Sequence, residues 1–182
     1  RYYGSRYYEG DDPTMRTLEA GVYEPDYQFS RAVEFITAHR NERFCLVMSI
    51  GTPHNPTCGI PSDPPGGDYR FPYDPAALTL RPNVDVAPAS EGYLRQTLAG
   101  YYAMISNLDW NMGRLVQALA SLGLSDNTVL AFSSDHGSLL GSHFQATGHW
   151  GKREIYAESL DVPFILRCPG RVAPQVVTDV FN

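Results

Sequence analysis

A long helical repeat that leads directly into a β-strand pattern is the feature that most limits the fold of this chain. From Glu91 to Leu122, apolar residues recur every three or four positions: Leu94, Leu98, Tyr101, Ile105, Leu108, Met112, Leu115, Leu119 and Leu122. This spacing predicts one long amphipathic helix, which Gly123 ends as a C′ residue. After a turn at Asp126, residues 128–133 are β-branched and apolar, which predicts a buried strand.

A second strand is predicted before this helix. Residues 44–50 read FCLVMSI and are apolar without alternation, as is typical of a strand buried on both faces. Joined through the long helix to the strand at 128–133, it predicts a strand–helix–strand crossover of the right-handed type. A helix capped by Asp26 and ending near His39 precedes it, and an apolar strand at 162–166 follows. The pattern therefore predicts an α/β fold.

The remaining segments are predicted to be less regular. Residues 1–26 are aromatic and polar with glycines, which indicates an irregular or short-hairpin segment with Asp11 and Asp12 in a surface loop. Residues 55–90 are rich in proline and form a long excursion. A short helix is predicted between Glu154 and Leu160, and a third apolar run spans 176–181.

Composition narrows the class of partner. The 182 residues carry a net charge of −6 with no basic patch, which argues against a nucleic-acid partner. No apolar run approaches the roughly 20 residues of a membrane helix. The three cysteines, Cys45, Cys58 and Cys168, have no CxxC spacing and indicate neither a disulfide framework nor a zinc site. The sequence does not fix the oligomeric state.

Polar side chains follow both predicted core strands. Asp135 and His136 come directly after the strand at 128–133, and His54 follows the strand at 44–50. Ligands of open α/β sheets bind beyond the carboxyl ends of the strands, so these residues are candidates for one rim. Asp135 and His136 are a candidate half of a metal site. The alternatives are a capping Asp135 beside a merely polar His136, and a rigid turn at His54 between two prolines.

A glycine-rich segment downstream holds further candidates. Lys152 lies between glycines and aromatic residues one loop from the predicted cation, which supports an anion-binding role, with a solvated surface lysine as the alternative. His143 and His149 lie in the same segment, and the sequence leaves open which of them approaches a bound anion.

Several linked motifs carry a resemblance to a known family. They read S-D-H-G-x-x-L-G-x-H, then G-K-x-x-x-Y-x-E-S, then V-P-F-I-x-x-x-P-G, and P-H-x-P at 53–56 joins them. In this order they resemble the carboxyl-terminal part of the catalytic domain of type I sulfatases, in the alkaline phosphatase superfamily. The matching residues are 134–137, Leu140, Gly141, His143, Gly151, Lys152, Tyr156, Glu158, Ser159, 162–165, Pro169 and Gly170.

The resemblance implies a fold, a reaction and residue roles. It implies a mixed, mainly parallel sheet flanked by helices, and hydrolysis of a small-molecule or saccharide sulfate ester. Asp135 and His136 would be metal ligands, for calcium by family habit, although imidazole also suits manganese, iron or zinc. Lys152 would bridge the sulfate and the nucleophile, and His54 would contact the sulfate or protonate the leaving alcohol. A periplasmic or secreted location is only a family tendency.

The departures from the family pattern predict an incomplete catalytic domain over residues 1–182. The family nucleophile is a formylglycine made from the cysteine of C-x-P-S-R, and no such motif occurs. Cys58 lies in C-G-I-P-S-D, where the proline is one place too far and the arginine is absent. No Asp doublet follows a first core strand either. The nucleophile is therefore expected outside this chain, which alone should not hydrolyse sulfate esters.

Three functions remain open from the sequence. The first is a portion of a sulfatase. The second keeps the superfamily but changes the substrate to a phosphonate monoester or a phosphodiester, because sulfate and phosphate esters have similar geometry. The third is a non-catalytic binding module that kept the fold and lost the nucleophile.

Overall fold

A computed structural model describes residues 2–54 and 71–178. Cys58, the first part of the proline-rich excursion and the end of the apolar run at 176–181 lie outside the described residues. The elements in chain order are β1 (Arg6–Glu9), β2 (Asp12–Thr17), α1 (Glu24–Ala38), a 3-10 turn (Pro75–Ala77), α2 (Pro88–Ser121), a second 3-10 turn (Ser125–Asn127), β3 (Leu130–Ser133), α3 (Phe144–Thr147), α4 (Ala157–Leu160) and β4 (Phe164–Arg167).

Helix α2 is the predicted long helix and forms the centre of the fold. Its inward side packs against α1 in one apolar cluster, whose buried members are Phe29, Ala32, Ile36, Leu108, Leu115 and Leu119. It ends as the sequence predicts: Gly123 has a left-handed φ of 71°, and the Leu124 N–H donates to the Leu119 carbonyl at 2.9 Å. This is a Schellman ending, which glycine adopts without strain. The predicted helix and its C′ glycine are confirmed. None of the helices in the described ranges is long and apolar enough to cross a membrane.

Polar side chains fix how α1 lies on α2. Asp26 was predicted to cap α1, but the helix begins at Glu24 and Tyr23 takes the N-cap position, so that prediction is wrong. The Asp26 carboxylate instead accepts hydrogen bonds across the helix interface, from Asn107 Nδ2 at 2.9 Å and from Asn111 Nδ2 at 2.8 Å. Both asparagines are fully buried. In the sequence, an acidic residue near the start of a helix matches the N-cap pattern. Only the contact with α2 shows that Asp26 instead links the two helices.

Residues 6–17 form a hairpin, in agreement with one of the two expectations from the sequence of this region. Strand β1 pairs antiparallel with β2, with Arg6 opposite Thr17. Asp12 lies at the surface, where its carboxylate accepts from the Thr14 N–H at 2.9 Å and pairs with Arg16. The acidic doublet at 11–12 therefore belongs to the surface of this hairpin, as predicted.

The second ladder joins β3 to β4. The strands are antiparallel, with Leu130 opposite Arg167 and Ser133 opposite Phe164. Both strands occur where the sequence predicts them, with bounds shifted by about two residues. They are not buried, however, because Phe164 is 58% exposed and Ile165 is 59% exposed. The predicted short helix at 154–160 is confirmed only as the single turn of α4.

Residues 44–50 form no ladder, and this corrects the prediction of a fully buried strand and of a parallel crossover. Phe44, Met48 and Ile50 pack against the α1–α2 cluster. Leu46 and Val47 are exposed, Val47 to 85%. Both ladders within residues 2–54 and 71–178 are antiparallel. An apolar run shows that a segment can be buried on two faces, but a strand also needs a neighbouring backbone, and the described residues supply none to this one.

Candidate active site

The candidate site begins where β3 ends. Asp135 and His136 follow Ser133 after one residue, and the His136 N–H donates to Asp135 Oδ1 at 3.0 Å. The Nδ1 atom of His136 lies 2.8 Å from the Gly137 carbonyl oxygen. Because a carbonyl oxygen only accepts, Nδ1 must carry the proton, which leaves the lone pair of a neutral imidazole on Nε2. That Nε2 lies 3.4 Å from Asp135 Oδ2.

This pair fits a metal ion as two of its ligands. In neutral His136, Nε2 and Asp135 Oδ2 are two acceptors that face each other with no hydrogen between them. Two acceptors this close repel each other, and either a proton on Nε2 or a cation bound between Nε2 and Oδ2 removes this repulsion. A ligand imidazole whose other nitrogen donates to a carbonyl is the usual arrangement around protein-bound metals. Two ligands do not complete a site, and the described residues hold no group of three or more His, Cys, Asp or Glu placed for a metal.

The electrostatic surroundings of Asp135 favour its charged form. The limited burial of this 83% exposed side chain raises the pKa of its carboxyl. A positive charge on His136, which the imidazole carries only when Nε2 is protonated as well, acts in the other direction, as do the backbone N–H groups of Asp135 and His136 and the charge of Lys152, and together they prevail. The pKa of Asp135 is therefore lower than its ordinary value, and the carboxylate is ready to bind a cation.

Backbone hydrogen bonds bring Lys152 to this loop. The Leu139 N–H donates to the Gly151 carbonyl at 2.8 Å, and the Leu140 N–H donates to the Trp150 carbonyl at 3.1 Å. Residues 138–140 thus run alongside residues 150–151, and Lys152 follows next to Ser138. Its side chain is half-buried and forms no ion pair within the described ranges. A cation held in this way is available to an anion.

Helix α4 supports the same loop from the other side. The Gly137 N–H donates to the Ser159 carbonyl at 2.9 Å. A Cβ atom on residue 137 would lie only 2.1 Å from the Glu158 carbonyl oxygen, so only glycine allows this close approach. The residue next to His136 is therefore packed directly on the backbone of α4.

The two histidines of the glycine-rich segment have different partners. His143 stacks on Tyr156 with ring centroids 3.9 Å apart, and its Nε2 lies 3.4 Å from Glu158 Oε1. His149 Nδ1 accepts from the Gly151 N–H at 3.3 Å, and its Nε2 lies 3.5 Å from Glu154 Oε1. Neither imidazole contacts Asp135 or His136 through a hydrogen bond or ion pair. Their role as substrate contacts stays a prediction.

His54 lies in a separate turn. Its backbone N–H donates to the Gly51 carbonyl at 3.0 Å, and Tyr2 Oη donates to the same carbonyl at 2.7 Å. The His54 side chain is exposed. Within the described part of the chain, no hydrogen bond or ion pair joins its imidazole to Asp135, His136 or Lys152. The structure thus brings three of the four principal candidates together, and the approach of His54 remains a prediction.

Two residues near this loop were given no role by the sequence. Glu158 belongs to the Y-x-E-S motif, which points to this residue but does not say what it does. Asn83 lies in the proline-rich excursion, where no periodicity or motif points to it. In the structure, Asn83 Nδ2 donates to Glu158 Oε1, and Ser142 Oγ donates to Asn83 Oδ1 at 3.0 Å.

Comparison with known proteins decides the family. The family model described as Sulfatase matches residues 4–181. The chain belongs to the sulfatase family. It is 34% identical over 166 residues to the ulvan-active sulfatase of Formosa agariphila, covering 90% of this chain and 30% of that protein. It is also 34% identical over 158 residues to the iduronate 2-sulfatase of Mus musculus, covering 86% of this chain and 27% of that protein.

Structural comparison gives the same family. A candidate sulfatase from Bacteroides fragilis superposes with a TM-score of 0.79 at 28% sequence identity, over 96% of this chain and 37% of that one. The α/β, alkaline phosphatase-like fold implied by the motifs is thereby confirmed, although the described ladders are small and antiparallel. Members of the sulfatase family hydrolyse sulfate esters and generally use a divalent metal. The chain spans only 27–37% of the length of these relatives.

Proposed function

We propose that residues 1–182 are the carboxyl-terminal part of a sulfatase catalytic domain and act within a longer polypeptide on sulfate esters of saccharides. The observation that carries this proposal is the 3.4 Å separation of Asp135 Oδ2 and His136 Nε2, in a loop whose backbone is hydrogen-bonded to Gly151, the residue before Lys152. The named activities of two relatives, on ulvan and on iduronate 2-sulfate, support a saccharide ester as substrate.

The chain's own residues would divide the work on a sulfate group. Lys152 would pair with a sulfuryl oxygen and neutralise the charge that builds up there. His54 would give a proton to the leaving alcohol oxygen as the S–O bond breaks. Asp135 Oδ2 and His136 Nε2 would hold a divalent cation, calcium by family resemblance with manganese as the alternative, which when bound draws negative charge from the sulfate oxygens. The nucleophile, a formylglycine in the family, would come from outside this chain.

The decisive experiment assays the full-length protein on an aryl sulfate and on an aryl phosphonate monoester. We expect turnover of the sulfate, and a fall in kcat of about 100-fold or more for Lys152→Ala and His54→Ala. His39→Ala is the matched control, because His39 follows the last residue of α1, where its ring packs on Phe35 and its Nδ1 pairs with Glu42. Faster turnover of the phosphonate would move the function to phosphonate hydrolysis. No turnover of either ester, with metal bound, would favour a binding module.

A further inference from the structure

The carboxylate of Glu158 joins three segments that are far apart in the sequence. Asn83 Nδ2 donates to Glu158 Oε1, and His143 Nε2 lies 3.4 Å from the same oxygen. Tyr156 stacks on His143 with an angle of 10° between the rings. We call Asn83, His143, Tyr156 and Glu158 the Glu158 cluster. The Glu158 side chain at its centre is only 16% exposed, whereas Asn83 and Tyr156 lie at the surface.

The cluster holds a strained loop in place. Leu140 and His143 have left-handed φ values of 48° and 55°, which residues other than glycine seldom adopt. The His143 N–H donates to the Asn83 carbonyl at 3.2 Å. The fully buried Ser142 donates to Asn83 Oδ1, which orients the amide so that its Nδ2 faces Glu158. The loop at 140–143 therefore depends on Asn83 and Glu158 for its conformation.

Glu158 is also in direct contact with the metal-binding loop through its backbone. Its carbonyl oxygen occupies the space where a Cβ of residue 137 would lie, and the neighbouring Ser159 carbonyl accepts from the Gly137 N–H. The Gly137 carbonyl in turn accepts a hydrogen bond from His136 Nδ1–H and so leaves Nε2 as the nitrogen that can bind a cation. The side chains of the Glu158 cluster thus fix the position of α4, and the backbone carbonyls of α4 in turn hold Gly137 and, through it, His136.

We propose that Glu158 is a positioning residue that sets the metal affinity of the Asp135–His136 pair, and that His143 serves this cluster and does not touch the substrate. This inference rests on the proposed function, since it takes the pair to be metal ligands. A residue that acts through the orientation of a ligand changes metal affinity about 10- to 100-fold when it is removed. Substrate affinity at saturating metal does not change, because the cluster does not contact the substrate.

The test measures calcium and manganese binding to the full-length protein by calorimetry, together with thermal unfolding without metal. We expect Glu158→Ala to raise the metal Kd about 10- to 100-fold. Glu158→Gln keeps an acceptor for Asn83 and should stay within a few-fold of the unmodified protein. Glu154→Ala is the matched control, because Glu154 lies four residues earlier and faces His149 instead. With saturating metal, Glu158→Ala should regain kcat and keep the KM for the aryl sulfate.

The outcomes separate this inference from the proposed function. If the unmodified protein binds neither metal, the proposed function itself fails. If it binds metal and Glu158→Ala binds equally well, or if the KM rises at saturating metal, the positioning role is overturned while the proposed function stands. Should Glu158→Ala not fold, Asn83→Ser removes the amide that donates to Glu158, and His143→Asn removes the ring that stacks on Tyr156. An unchanged Kd in both would overturn the inference as well.

Discussion

The hydrogen bond made by His136 Nδ1 determines which ring nitrogen can bind a cation. Because Nδ1–H donates to the Gly137 carbonyl, only Nε2 can bind a cation, and this atom faces Asp135 Oδ2. We expect Asp135→Asn and His136→Gln in the full-length protein each to weaken calcium binding by about 10-fold or more. Calorimetric titration measures this. Asp126→Asn, in the turn at the opposite end of β3, is the control and should bind like the unmodified protein. Equal binding by all three variants would rule out the pair as ligands.

The packing around Gly137 leaves no room for a side chain at this position. Gly137→Ala would place a Cβ 2.1 Å from a backbone oxygen of α4, and neither backbone can move without disturbing the loop. We expect a loss of about 1–3 kcal/mol in the free energy of unfolding. Gly113→Ala provides the contrast, because Gly113 is exposed within α2 with nothing near its Cβ position. There alanine should stabilise by about 0.5–1 kcal/mol. Urea unfolding of both variants gives the comparison, and equal effects would contradict it.

Glu158 should make stability depend on pH. The hydrogen bond from Asn83 is the main cause that holds the pKa of Glu158 below its ordinary value of 4.5, with His143 and Arg81 adding to it. A lowered pKa in the folded state stabilises the fold above the unfolded value, and this stabilisation is lost as pH falls through the folded one. We expect the difference in unfolding free energy between the unmodified protein and Glu158→Gln to shrink below about pH 5. Glu34→Gln, on the exposed side of α1, serves as the control in urea unfolding. A constant difference would contradict the linkage.

At the scale of elements, the contact between α1 and α2 depends on buried amides. Asn111 donates to Asp26 and accepts from Arg114 Nη1 at 2.8 Å, so Asn111→Ala leaves polar partners unsatisfied between the helices. We expect a loss of about 1–3 kcal/mol. Gln117→Ala removes an amide from the exposed side of the same helix and should change stability by less than about 0.5 kcal/mol. Urea unfolding distinguishes the two variants. Similar losses in the free energy of unfolding would show that the buried amide contributes no more to stability than an exposed one.

The sequence predicts the helices better than the sheet, for a physical reason. The period of α2 and its glycine ending are local, so they are visible in the chain itself. The pairing of a strand depends on which other backbone lies beside it, and the apolar run at 44–50 gives no information on that. The same run shows inward contacts at Phe44, Met48 and Ile50, so its apolar character was interpreted correctly while its partner was not.

The residues of the candidate site also differ in how far the sequence could predict them. Asp135, His136 and Lys152 could be predicted because they follow a strand or lie in a linked motif, and the structure brings them into one loop region. Asn83 could not, because it lies 75 residues from Glu158 in a segment without periodicity. Its use arises only when the loop at 140–143 folds against it.

For the molecule as a whole, two segments with exposed apolar side chains stand out. Strand β4 and the run at 44–50 expose large apolar side chains, among them Phe164, Ile165, Leu166, Leu46 and Val47. Isolated exposed apolar residues are ordinary, but neighbours along a strand are typical of a surface that another part of a protein covers. This agrees with the proposal that the 182 residues work inside a larger catalytic domain.

The exposed apolar side chains of β4 lead to opposite expectations for a charged substitution in the separate chain and in the full-length protein. The 182-residue chain alone should bind a hydrophobic dye, self-associate and fail to hydrolyse an aryl sulfate. Ile165→Lys should reduce its self-association, because it places a charge on the exposed surface of β4. In the full-length protein the same substitution should cost about 2 kcal/mol or more, because the charge would be buried without a partner. Tyr8→Lys, on the separate hairpin, is the control. Sedimentation and thermal unfolding measure the two effects, and an unchanged full-length protein would show that β4 stays exposed to solvent.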